Sequence, residues 1–93
     1  MESLKRAEFV ITGIVQGVGF RYFIHRNALE LNLKGFASNN YDGSVISVVE
    51  GTEASIQEFH TRLKQGPSRS RVETVKITYK DFIGNFNGFS ING

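Results

Sequence analysis

Between Ala7 and Thr12 the chain alternates. Ala7, Phe9 and Ile11 fall on one side and Glu8, Val10 and Thr12 on the other, the period-two pattern of a half-buried strand. A loop holding three glycines, Gly13, Gly17 and Gly19, follows directly. From Tyr22 to Leu33 the period lengthens: Ile24, Ala28 and Leu31 recur at i, i+4 and i+7, which predicts a helix, with Lys34 as a basic last turn and Gly35 as its left-handed stop. Gly35–Asn39 and Ser44–Glu50 read as two strands joined by Asn40-Tyr41-Asp42-Gly43, where Asn and Asp-Gly favour the positive φ angles of a hairpin turn, so these strands should be antiparallel neighbours. Thr52 is placed to cap a second helix, Glu53 suits its positive end, and Ile56, Phe59 and Leu63 form a core stripe before Gly66-Pro67 ends it. Past the loop Ser68-Arg69-Ser70-Arg71, Glu73 to Tyr79 alternates with Val75, Ile77 and Tyr79 inward, and Phe89 with Ile91 marks a short last strand.

The order is therefore β-α-β-β-α-β with a short extra C-terminal strand. Each helix links two strands, and right-handed crossovers place both helices on one face of an antiparallel sheet, an α+β fold of the ferredoxin-like α/β sandwich type. A chain of 93 residues, 40% hydrophobic, fits one domain spanning 1–93, without repeats, linkers or low-complexity tracts. A domain of this size buries only about 60 to 65% of the surface its unfolded chain exposes, so every element has to contribute to the core.

Composition narrows the chemistry. There is no cysteine, which excludes disulfides and thiolate metal sites and makes the cytoplasm the expected location. Met1 to Glu8 is polar and mixed in charge, unlike a signal peptide, and no run approaches the roughly 20 apolar residues of a membrane span. The net charge of +2 favours a small anion as ligand over the dense Lys/Arg surface of a nucleic-acid binder. His25 and His60 are too few for a metal cluster; His25, one helical turn after Arg21, is expected at the solvated edge of the core, and His60 at the surface. Arg62, Lys64, Arg69 and Arg71 read as a solvated helix end and loop, and Asn40 with Asp42 as turn residues rather than catalytic ones.

The loop Gly13-Ile14-Val15-Gln16-Gly17-Val18-Gly19-Phe20-Arg21 opens onto the first helix. Glycines there let a ligand approach the peptide nitrogens, the unpaired first-turn N–H groups of a helix favour a bound anion, and the Arg21 guanidinium offers a planar fork of donors that matches phosphate oxygens. On spacing alone the loop reads equally well as a tight turn. Gly17-x-Gly19 lacks the third glycine of a dinucleotide fingerprint, and no Gly-Lys-Ser/Thr of a P-loop is present.

Ile11 to Arg21 resembles the first signature of the acylphosphatase family at all eleven positions, and Gly35-Phe36-Ala37-Ser38-Asn39 with Gly43, Val45 and Gly51 resembles the second. Ser38 departs from the longer side chain more common before the asparagine, a change that bears on local packing or substrate preference. The resemblance covers essentially the whole chain. It implies a monomeric hydrolase that cleaves the carboxyl–phosphate bond of acyl phosphates without metal or cofactor, its partners being a small acyl phosphate and, as product-like ligands, inorganic phosphate or sulfate. Carried over by position, Gly17, Val18, Gly19 and Phe20 would bind the phosphoryl group through their amides together with Arg21, and Asn39 would hold the attacking water. A module of a carbamoyl-transferring hydrogenase maturation factor has a similar glycine signature, but Tyr22-Phe23-Ile24 follows the arginine here in place of a proline-containing continuation. A nucleic-acid-binding module of the same architecture would carry aromatic residues on its central strands, and the third strand has none.

Overall fold

The computed structural model describes residues 3–92; Met1 and Glu2, part of the polar start noted above, and Gly93 lie outside the described residues. The elements are β1 (Leu4–Ile14), α1 (Phe20–Glu30), β2 (Lys34–Asn39), β3 (Val45–Thr52), α2 (Glu53–Gln65), β4 (Arg71–Lys80) and β5 (Phe89–Asn92). They form one five-stranded sheet in the order β4-β1-β3-β2-β5, with both helices on one face. In β1 the alternation puts Ala7, Phe9 and Ile11 wholly out of solvent, opposite Val49, Ser47 and Val45 of β3. Ile24 and Ala28 of α1 and Ile56, Phe59 and Leu63 of α2 close over them, with the Phe59 ring edge-on to Phe9 at 5.4 Å. Each large side chain buried in this way contributes about 1.5–3 kcal/mol.

The second helix starts as its residues predict: Thr52 accepts a hydrogen bond from the Ser55 amide at 3.1 Å, and Glu53 stands in the first turn. The hairpin turn is likewise local, since the Asp42 carboxylate accepts from the Ser44 amide and hydroxyl, holding Asp42 below the ordinary carboxylate range. The first helix differs from expectation. It begins at Phe20 and ends at Glu30, earlier than the periodicity indicates, because the Leu33 amide turns back to the Ala28 carbonyl. Asn32, at φ +57°, takes the left-handed position assigned to Gly35, and Lys34 and Gly35 already belong to β2. Gly35 is required for another reason: a Cβ there would stand 1.8 Å from the Val48 carbonyl oxygen.

Two further expectations change. Tyr79 shares the helix-side face with Ile77 but remains 45% exposed at the sheet edge, where partial burial and then Glu53 hold its phenol above the ordinary value. His60 is half-buried rather than at the surface, its ring 5.5 Å from that of Phe9, and burial followed by the charge of Lys64 holds it below the usual histidine value.

The sheet is mixed, not antiparallel. β1, β3, β2 and β4 pair antiparallel, but β5 runs parallel to β2, with Gly35 opposite Phe89 and Ser38 opposite Asn92. β4 and β5 occupy opposite edges, four strand spacings or about 19 Å apart. Residues 81–88 must bridge that gap, and their extended reach of about 26–29 Å leaves little slack for a detour. They cross the helix-free face along the row Lys80, Arg6, Glu50 and Lys34, and β5 then returns in the direction opposite to β4, which is that of β2.

Glu50 pins this crossing. Its carboxylate is 3% exposed and accepts from the amides of Ile83 at 2.8 Å and Gly84 at 3.1 Å, and from Arg6 at 3.2 Å. The Arg6 guanidinium in turn covers the Phe86 ring at 4.7 Å, and Phe86 packs edge-on against Phe36. Glu50→Ala leaves a shielded guanidinium and two amides without their acceptor, so a loss of about 3 kcal/mol is expected from the urea midpoint. A loss below about 1 kcal/mol would show that this carboxylate does not hold the crossing segment.

Candidate active site

The site lies at the end of the sheet opposite that crossing. There β1 passes into the glycine loop, while β2 and β5 end side by side at Asn39 and Asn92. The two helices begin differently. α2 has a side-chain cap and an acidic first turn; α1 has neither, its N-cap being Gly19 and its first turn free of Asp and Glu. The Phe23 amide bonds to the Gly19 carbonyl at 3.0 Å, so the amides that precede it in the helix have no intrahelical acceptor and the positive end of the macrodipole stays uncompensated.

Gly17 and Gly19 sit at φ +75° and +79°, in the left-handed region. No heavy atom beyond their chain neighbours lies within 4 Å of a Cβ built at either, so glycine is required there by conformation and not by crowding. Gly13 belongs elsewhere. It occupies the register shift where β1 meets β4, and a Cβ on it would stand 2.1 Å from the Arg71 carbonyl oxygen. Its role is in the sheet, a correction to the reading that put all three glycines in one cradle.

Gly17, Gly19, Phe20, Arg21 and Asn39 surround a single cavity of about 110 Å³, with Val15 and Tyr22 completing its wall. Val18 does not line it; its side chain packs toward the core, so its amide is the group it can offer. Arg21 is half-buried and donates to the Asn92 main-chain carbonyl at 2.9 Å. The parallel course of β5 brings that carbonyl beside the end of β2. Asn39 Oδ1 is buried and accepts no hydrogen bond from any described residue.

His25, Arg62 and Phe23 do not line the cavity. His25 packs toward Phe89 of β5, with ring centroids 5.7 Å apart. Arg62 is tied to Glu30 and Glu58 and also donates to Asn27, and these carboxylates hold its guanidinium above its ordinary value. Phe20 is buried against Phe23, and only Tyr22 of the three clustered aromatics is largely exposed. A broader hollow of about 640 Å³ between Arg6, Glu8, Tyr79 and Lys80 offers no free helix amides, and two of its charged groups pair with each other, Lys80 with Glu8 at 3.3 Å.

Gln16 was not singled out from the sequence. It is the only polar side chain between Gly13 and Gly19, and its Nε2 donates to the carbonyls of Asn40 at 2.7 Å and Ser44 at 2.9 Å. Its place in the loop was visible in the chain; its acceptors, 24 and 28 residues away, were not.

Comparison with known proteins gives the family. The acylphosphatase family model matches residues 7–91. The chain belongs to the acylphosphatase family. The acylphosphatase of Moorella thermoacetica is 51% identical over 79 residues, covering 85% of each chain. The crystal structure of acylphosphatase from Bacillus subtilis superposes with a TM-score of 0.92 at 34% identity, covering 98% of this chain and 100% of that one. Full-length HypF in its phosphate- and nucleotide-bound form is similar too, with a TM-score of 0.90 and 33% identity, but this chain covers only 12% of it. Acylphosphatase relatives of this chain's own size thus match along most of their length, whereas the larger protein matches through one small part. Among the described residues no three His, Asp or Glu come together in a way that could hold a metal ion, and no helix is long and apolar enough to cross a membrane.

Proposed function

We propose that this member of the acylphosphatase family hydrolyses the bond between phosphorus and the acyl oxygen of a small acyl phosphate, releasing a carboxylate and inorganic phosphate. The observation that carries the proposal is that Asn39, whose buried Oδ1 accepts no hydrogen bond from any described residue, lines the same 110 Å³ cavity as Arg21 and the start of α1. The amides of Gly17, Val18, Gly19 and Phe20 and the Arg21 guanidinium hold the phosphoryl oxygens. These donors are in place before substrate arrives, fixed by two left-handed glycines and by the Asn92 carbonyl.

The chemistry asks little more of the protein. The leaving group is a carboxylate, whose conjugate acid has a pKa of about 4 by analogy with Asp and Glu, so no general acid is needed. In a loose phosphoryl-transfer transition state the charge lies on the peripheral oxygens, where amides and a guanidinium stabilise it. Asn39 Oδ1 accepts a hydrogen bond from the attacking water and directs its lone pair at phosphorus. A carboxamide does not take a proton at neutral pH, so the water proton passes to a phosphate oxygen. An acyl phosphate dianion plus water thus yields a carboxylate monoanion and dihydrogen phosphate. The protein acts as a monomer, without metal or cofactor, and alkyl phosphate monoesters, with their much poorer leaving groups, are poor substrates.

The test is hydrolysis of benzoyl phosphate in EDTA beside a nitrophenyl phosphate control. Turnover of the first, far above that of the second, is expected; none of the first would remove the proposal. Arg21→Ala should lose about a thousandfold in kcat/KM, the cost of deleting a preorganised donor to developing charge. Near-normal turnover by that variant would take Arg21 out of the mechanism. Asn39→Ala should lose turnover while its inhibition constant for inorganic phosphate stays close to the parent value, because its contact is to water; a steep rise in that constant with turnover kept would contradict the assignment.

A further inference from the structure

Two segments supply the site, and no strand pairing joins them directly. The phosphate loop leaves β1, and Asn39 ends β2; in the sheet those strands are separated by β3. In-line attack on phosphorus requires the water-holding amide and the phosphate amides to keep one separation and angle. The chain places one side chain across that gap. Gln16 Nε2 has two N–H donors and uses both, one on the Asn40 carbonyl and one on the Ser44 carbonyl.

These carbonyls are the two ends of the hairpin turn. The Asn40 amide itself donates to the Ser44 carbonyl at 2.9 Å, and the Asn40 carbonyl accepts from the Gly43 amide at 3.2 Å. Gln16 thus bonds to the mouth of the turn at the residue directly after Asn39. The turn is stiffened from within by Asp42 and by the Asn40 side chain, which donates to the Ser44 hydroxyl at 3.0 Å, so a pull on its mouth moves the end of β2 as one piece.

We propose that Gln16 is a positioning residue: its carboxamide clamps the phosphate loop to the β2–β3 turn and thereby sets the place of the Asn39 carboxamide relative to the bound phosphoryl group. It does not line the 110 Å³ cavity. The proposal rests on the hydrolytic role given to Asn39 above and adds the residue that makes two separate segments act as one site.

The experiment is a double-mutant cycle of Gln16→Ala and Asn39→Ala on benzoyl phosphate, with phosphate inhibition measured on every variant. Gln16→Ala is expected to lower kcat about ten- to a hundredfold, the scale of a misplacement of about 1 Å, and to leave the phosphate inhibition constant within about twofold of the parent. In the Asn39→Ala background the same change should cost less than about twofold, because a positioning residue has nothing left to position. Gln16→Met keeps the length of the side chain without its donors and should reproduce the loss. Full independence of the two substitutions, weakened phosphate inhibition with kcat intact, or parental kcat in Gln16→Met would each overturn the proposal. If Asn39→Ala itself retained full turnover, the fault would lie with the role of Asn39, and the proposal built on it would fall for that separate reason.

Discussion

A helix that begins without a cap is the feature on which this molecule turns. The first amides of α1 lack side-chain acceptors, no acidic residue offsets the dipole, and Gly17 and Gly19 hold left-handed angles that leave the approach to those amides open. Such a terminus is a standing cost to the fold, since orphan N–H groups usually find a partner. Such a terminus suits an anion, and Arg21 lies in the first turn of the same helix. α2, by contrast, is capped by Thr52 and complemented by Glu53.

The rest of the architecture serves to hold that terminus still. The core packs α1 to the sheet through Phe20, Ile24 and Ala28, which fixes where its positive end points. At the far end of the sheet Glu50 gathers residues 81–88 across the open face, so that β5 can return parallel to β2 and carry the Asn92 carbonyl to Arg21. A buried carboxylate remote from the cavity is thereby linked to the orientation of the cavity's guanidinium. Gln16 acts over a shorter span, drawing the loop and the hairpin turn together.

Much of this was legible along the chain because it rests on neighbours in sequence. Strand alternation in β1, the Thr52 cap, the Asn-x-Asp-Gly turn and the stripe of α2 each involve residues within a few positions of one another, and periodicity and side-chain chemistry decide such features. The glycine loop, Arg21 and Asn39 were legible through their resemblance to two family signatures, and the cavity assembles Gly17, Gly19, Phe20, Arg21 and Asn39 together. Local reasoning failed where another contact prevailed, near in sequence for α1 and distant for Gly35. α1 stops early because Leu33 turns back to Ala28, and Gly35 answers to the Val48 carbonyl of the adjacent strand rather than to a helix end. Tyr79 has the right parity for burial but stands at an edge where the sheet face is incompletely covered.

What the amino-acid order determined by itself, then, is the set of elements and the chemical groups each can offer, because backbone angles, caps and one-sided faces follow from side chains a turn or a pleat apart. Tertiary structure alone decided that the last strand runs parallel, that Gly13 serves a sheet junction while Gly17 and Gly19 serve the cavity, that Glu50 is buried under a crossing segment, and that Gln16 reaches the turn beyond Asn39. Those outcomes depend on which edges are free and how far eight residues can stretch between them, quantities that exist only once the strands have been set side by side.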